Sequence, residues 1–417
     1  MQTLLSKLKA TYNEFPRAFW IYSVIVFIDR LGGSLLFPFY ALYLTQKFGI
    51  NMAQVGGLFA LFSISGFVGS AIGGALTDRM GRKSMLIFSL VMSSLSALVM
   101  GLVNNLQLFM AISVFVGILG SIGGPAHEAI VADVLPAEKR PQGYGMIRVI
   151  FNLAVVIGPA IGGFLATRSY LALFITDAVI SVISAMIVYV YMPETKPAPH
   201  PDAEHETLLQ TFAGYGKVFR DTVFLAFLFV TFLQVVVYIN MNTTLGVYLR
   251  DNHGMTEAFY GWLLSLNAAM VVVMQFWITR RLEKQKPMIM MAFGTALYAI
   301  GFAMYGFITG VAMFVLAMVI ITVGEMVVSP FGQTLVASFA PEEMRGRYMA
   351  VSGLTWGLAF AVGPLLAGLV LDNFNPNLLW MACGVIGTVS TLGYLLLHKL
   401  HHSPTPEILP EPSAAAD

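Results

Sequence analysis

Twelve apolar stretches, each close to the 20 or so residues that an α-helix needs to cross a bilayer, run along the 417-residue chain. They lie near 17–44, 51–77, 82–103, 107–132, 143–167, 170–192, 222–249, 257–279, 287–308, 311–338, 346–372 and 375–398. In hydrocarbon a backbone has to satisfy its own hydrogen bonds, so stretches of this kind fold as helices. Composition agrees: 57% of residues are hydrophobic and 11% are charged, against about 25% charged in a soluble chain. The expected fold class is an all-α membrane protein of twelve transmembrane helices.

Charge then sets the orientation. Of the 23 Lys and Arg, all but Arg30, Lys47, Arg168 and Arg250 fall in segments that share one side of the membrane with the N-terminal tail. Cytoplasmic loops collect Lys and Arg, so both termini are expected in the cytoplasm. The same count leaves a formal net charge of +1, too small a basic field for a phosphate backbone, and nucleic acid is excluded as a partner. A single cysteine, Cys383, excludes disulfides and thiolate metal clusters within the chain. No phosphate-cradling Gly-Lys-Ser loop, His-x-x-x-His zinc pair or serine nucleophile elbow is present. No catalytic residue, metal or cofactor is therefore assigned, and the chain is not expected to be an enzyme.

Sliding the sequence against itself by 205 residues pairs Tyr43-Leu44 with Tyr248-Leu249, Gly49 with Gly254, Gly56 with Gly261, and Pro125 with Pro330. The same offset pairs Arg140 with Arg345, Gly158-Pro159 with Gly363-Pro364, and Gly163 with Gly368. One gapless offset held over so many residues reads as a duplication. Each half carries an even number of spans, which makes the halves parallel repeats about an axis along the membrane normal. The expected organisation is a six-helix bundle over 1–192, a cytoplasmic linker over 193–221 rich in proline, a second six-helix bundle over 222–400 and a cytoplasmic tail over 401–417.

After the second span the chain reads Gly74-Ala75-Leu76-Thr77-Asp78-Arg79-Met80-Gly81-Arg82-Lys83. This resembles the G-x-L-a-D-r-x-G-r-k signature of the major facilitator superfamily. Its glycines let a short loop turn, its cations hold that loop in the cytoplasm, and Asp78 is an acid able to dock on a helix end as a breakable latch. Span 5 holds Gly158-Pro159-Ala160-Ile161-Gly162-Gly163, similar to the G-P-x-x-G-G element of the drug/proton antiporter branch, with Ala154 in place of the element's leading Gly. The branch also carries an Arg in span 4, where this chain has Ser113; Arg30 or Arg148 is expected to do its work. The resemblance implies the major facilitator fold, two pseudo-symmetric bundles that rock about a central site lined by helices 1, 4, 7 and 10. It also implies a bacterial inner membrane location, small-molecule substrates and protons as partners beside the lipid bilayer, and a monomer.

Ionisable groups deep in a span are expensive and mark functional candidates. Asp29 and Arg30 lie about 18 Å into span 1 at about 1.5 Å per residue. Across the repeat Asp29 faces Gln234, followed in span 7 by the polar Tyr238 and Asn240. Glu325, within Gly324-Glu325-Met326-Val327-Val328-Ser329-Pro330, resembles a G-E-x-x-x-x-P element of some drug/proton antiporters and of proton-coupled oligopeptide transporters. Its repeat partner is Gly120, so no inherited packing role explains a carboxyl there. Glu128, near the end of span 4 beside His127, is a weaker candidate for the same cavity. Together these residues predict a proton-coupled secondary transporter that exports amphipathic or cationic drug-like compounds in exchange for protons. A proton symporter of peptides or other nutrients is the alternative, and lipid or lysolipid movement a further one.

Overall fold

The computed structural model describes residues 14–136, 139–196, 216–282, 284–341 and 344–400. The side chains of Asp78 and Arg345, most of the expected linker (197–215) and the expected tail (401–417) lie outside the described residues. Among the described residues 12 helices are long and apolar enough to cross a membrane. They are α1 (Arg17–Phe48), α2 (Met52–Met80), α3 (Arg82–Leu102), α4 (Leu106–Val134), α5 (Arg140–Ala166), α6 (Tyr170–Tyr191), α7 (Thr222–Thr243), α8 (Glu257–Leu282), α9 (Pro287–Met304), α10 (Val311–Phe339), α11 (Arg345–Asn373) and α12 (Asn377–Leu400). Phe276, Trp277, Phe307 and Val385 stand more than half exposed on the outside of the assembly, which suits a lipid-facing surface. Twelve crossings put both described chain ends on one side, called here the terminal face.

The repeat governs local structure atom by atom. Gly49 closes α1 and Gly254 closes the short helix Leu245–His253 that prolongs α7, both in the left-handed region at φ +62°. That conformation is open to glycine without steric penalty. Asn51 accepts from Gln54 N at 2.9 Å and Thr256 accepts from Phe259 N at 3.2 Å, the same N-cap on α2 and on α8. Tyr43 and Tyr248 donate at 2.8 Å to the carbonyls of Met100 and Tyr305. Helix α1 breaks at Phe37–Phe39, where Pro38 cannot donate an amide, and α7 breaks at the corresponding Thr244. There the hydroxyls of Thr243 and Thr244 bond back to Ile239 O and Asn240 O, which bends a helix without proline.

Glycines kept at the 205 offset build the two seams between the bundles. A Cβ on Gly56 would strike Pro364 O and Leu365, and one on Gly261 would strike Pro159 O. Likewise Gly368 lies against Met52 and Ala53, and Gly163 against Glu257 and Ala258. Helix α2 thus crosses α11, and α5 crosses α8, at backbone-to-backbone range, the close approach that small residues permit. Polar bonds lock the same end of the molecule: Asp372 accepts from Met52 N at 2.9 Å and Ala53 N at 2.6 Å, Tyr170 donates to Glu257, and Arg250 donates to Leu42 O and Thr45 Oγ1. The seam of α2 and α11 runs down to Ser63, Phe67 and Gly357. Beyond that level a Cβ on Gly74 or Gly353 meets nothing within 4 Å, and Met80 and Met349 are exposed. The bundles are shut at the face opposite the termini and part towards the terminal face.

Candidate functional site

Two cavities meet at Glu325, the larger lined by both bundles and the smaller by helices of the second bundle alone. The larger, about 450 Å³, is lined by Arg30, Ser34 and Phe37 of α1, Phe151, Asn152 and Pro159 of α5, Tyr238, Met241 and Asn242 of α7, Leu264 and Asn267 of α8, and Glu325 of α10. The smaller, about 250 Å³, is lined by Gln234 and Tyr238 of α7, Tyr298 of α9, Glu325, Ser329 and Gln333 of α10, and Trp356 of α11. The larger has the size and the apolar lining with few polar groups that suit a drug-sized ligand. Helix α4, expected in the lining, supplies none of these residues; α5 and α8 take its place because their glycine seam draws both to the centre.

Glu325 and Tyr238 border both cavities. One carboxylate oxygen of Glu325 accepts from Tyr238 Oη at 2.9 Å and the other from Asn267 Nδ2 at 2.8 Å. Asn267 is itself fixed by Thr322, whose hydroxyl donates to Met318 O. Neutral donors alone hold this carboxyl. Arg148, whose charge acts on Glu325, spends its guanidinium on Ser329 Oγ and Gln333 Oε1, one and two turns further along α10. That contact joins α5 to α10 across the bundle interface on the open side. The arrangement is a carboxyl that borders two cavities and that, among the described residues, is bonded by neutral donors and by no cation.

Residues named from sequence divide into those at the cavities and those elsewhere. Arg30 reaches the larger cavity with its guanidinium 5.4 Å from the centre of the Phe151 ring. Asp29, one residue earlier and so about 100° round the helix, is not in the lining of either cavity. Gln234 lines the smaller cavity and accepts from Tyr394 of α12 at 3.0 Å. Asn240 turns inward to Val236 O, Thr244 and Cys383, and Asn242 holds the cavity position instead. Glu128 is exposed and lines neither cavity. Asn267 escaped the sequence reading because it is uncharged; an amide in the middle of a largely apolar span, shared only with Gln275, was the available signal.

The loop after α2 is held from within its own bundle. Gly81 sits at φ +90°, Arg82 Nε bonds Asp133 at the end of α4 at 2.9 Å, and Glu194 beyond α6 accepts from the backbone amides of Arg82 and Lys83 at the start of α3. Lys83 Nζ reaches Tyr189 O, and Arg79 O accepts from Lys196. In α5, Gly158 and Gly162 pack on Ser34 and Leu35 of α1 while Pro159 and Gly163 face α8. The Gly-Pro element is the hub where three helices meet.

The sequence profile described as Major Facilitator Superfamily matches residues 22–364 and again 228–416. The chain belongs to this superfamily. A Na(+), Li(+), K(+)/H(+) antiporter of Planococcus maritimus is 28% identical over 93% of the chain and 97% of its own length. The Multidrug resistance protein MdtH of Shigella flexneri is 23% identical over 88% of the chain and 92% of its own length. Among solved structures, nucleoside transporter NupG aligns with a TM-score of 0.78 at 12% identity, covering 91% of this chain and 100% of its own. A POT family transporter in complex with 5-aminolevulinic acid aligns at 0.76 with 17% identity over 92% and 96%. These structural likenesses carry the fold. This superfamily member is a transporter with the twelve-helix, two-bundle architecture expected from its sequence.

Proposed function

We propose that the chain is a proton-coupled secondary transporter that exports amphipathic or cationic compounds in exchange for protons by alternating access. The observation that carries this reading is Glu325, a carboxyl held by Tyr238 and Asn267 and bordering both cavities. A group so placed can exchange a proton for a solute, because the cavity that admits solute also admits water to the carboxyl. The aromatic and thioether side chains Phe37, Phe151 and Met241 offer a surface suited to amphipathic cations. The names of the relatives, an antiporter that exchanges monovalent cations for protons and a multidrug resistance protein, support the same class. The terminal face is taken as cytoplasmic from the Lys and Arg count, the membrane as the bacterial inner membrane, and the transporter as a monomer with bundles over 1–192 and 222–400. On that orientation the conformation described is open to the cytoplasm, ready to load a compound for export.

Arg30 favours a second reading. A guanidinium and a carboxyl in one cavity complement a zwitterion, as a nutrient symporter requires. A substrate screen in proteoliposomes with an imposed pH gradient separates the two: lipophilic or monovalent cations that move against the proton flux support export, and zwitterions that move with it support symport.

A further inference from the structure

The seam between α1 and α6 differs in kind from its repeat between α7 and α12. In the second bundle that seam is stitched by neutral hydrogen bonds: Tyr394 donates to Gln234 and shares a bond with Thr231, and Ser390 donates to Val230 O. In the first bundle the place of Gln234 is taken by Asp29, and α6 contributes Asp177, which is 8% exposed. A Cβ at Gly32 would strike Asp177 Oδ1, so this carboxyl lies against the backbone of α1, one turn from Asp29, and the two acids feel each other's charge. Among the described residues neither acid makes a hydrogen bond or an ion pair. On the same two helices Ser23 and Ser184, 3% and 0% exposed, have hydroxyls without any partner. Buried polar groups left unpaired in this way are the usual sign of internal water or of a transient ligand.

We propose that Asp177, buried against α1 beside Asp29, is a second proton site, whose proton is exchanged through water along the α1–α6 seam. The physical reason is the charge balance. A carboxylate shut between two helices is costly to ionise, a second acid lies one turn away on α1, and among the described residues no cation is bonded to Asp177: Arg30 is turned to Phe151 in the cavity, while Arg82 and Lys83 of α3 and Arg140 and Arg148 of α5 all lie in the third of their helices nearest the terminal face. Tyr22 and His127, bonded to each other at the α1–α4 contact, are the remaining titratable groups that sense Asp29. A proton is the ligand that fits, since it neutralises the carboxylate and needs no cage, and no group of three or more metal-ligating side chains is found among the described residues. The inference rests on the proton-coupled reading for its purpose, though the site's titration does not depend on transport.

Infrared difference spectra of the purified full-length protein between low and high pH report each carboxyl that gains a proton. Asp177→Asn is expected to remove one titrating carboxyl band, and the same band is expected to persist in Glu325→Gln. Gly32→Ala, which deletes no acid but presses on Asp177, is expected to move the midpoint of that band by roughly tenfold in proton concentration while the band itself remains. Superposable spectra for wild type, Asp177→Asn and Gly32→Ala, each checked as folded by its melting curve, would overturn the site. A titrating Asp177 in a protein without proton-driven transport would leave the site standing and refute the coupling.

Discussion

Single side chains decide what this site can bind and release. Tyr238 and Asn267 are the two donors to Glu325; removing either alters a bond made to the ionised form and so changes the proton affinity that the carboxyl presents. Tyr238→Phe and Asn267→Leu should therefore shift the pH profile of transport while leaving the transporter folded. An unshifted profile in both variants would separate Glu325 from the proton step. Gly81 makes a different kind of demand. At φ +90° and ψ 162° its backbone is in a region essentially closed to other residues, and Gly81→Ala should lower stability by roughly 1–3 kcal/mol, read as a lower melting temperature in detergent. Asp29 was legible as an ionisable group deep in a span, but which way it points was not. One residue is about 100° of helix, and the sequence of α1 alone does not show that it is Arg30 that enters the cavity, beside the Phe151 ring of α5.

At the scale of elements, α2 and α11 are antiparallel and each carries an aspartate near its C-terminal end. Asp372, at the end of α11, caps the first turn of α2, where the helix dipole favours an anion. Asp78 has the corresponding place in sequence at the end of α2, and is proposed, as the latch, to meet the start of α11 when the terminal face closes. On that proposal the two acids act as opposed latches on one rocker. Asp372→Ala should lose about 1 kcal/mol of capping energy and, by roughly fivefold, favour separation of the helix ends that it now holds together. Asp78→Asn should act in the opposite sense. Distances between spin labels at each end of α2 and α11 measure both populations, and changes of the same sign in the two variants would contradict the rocker. The glycines of these seams were visible in the repeat, because Gly56 with Gly261 and Gly163 with Gly368 recur at one offset. Their partners were not, since a repeat shows which residues are kept and not what lies across a crossing. For that reason α5 and α8 replaced α4 in the cavity wall.

The whole molecule couples these parts. On the proposed alternating-access reading, two bundles move about seams made of backbone contacts, and Glu325, bordering both cavities, is the group whose surroundings that motion changes. Architecture was legible early because span length, loop charge and the repeat all follow from the bilayer and from duplication. Substrate choice was not, since it depends on which few side chains converge in a cavity of about 450 Å³. The central claim is that Glu325 converts a proton gradient into solute movement. Its most direct test compares wild type with Glu325→Gln in proteoliposomes loaded with a transported compound, measuring both uphill movement under an imposed pH gradient and one-for-one exchange without a gradient. The amide keeps the shape of the side chain and loses the titration, so the account predicts exchange near the wild-type rate with uphill transport reduced to that of protein-free vesicles. Uphill transport by Glu325→Gln at the wild-type level would contradict it.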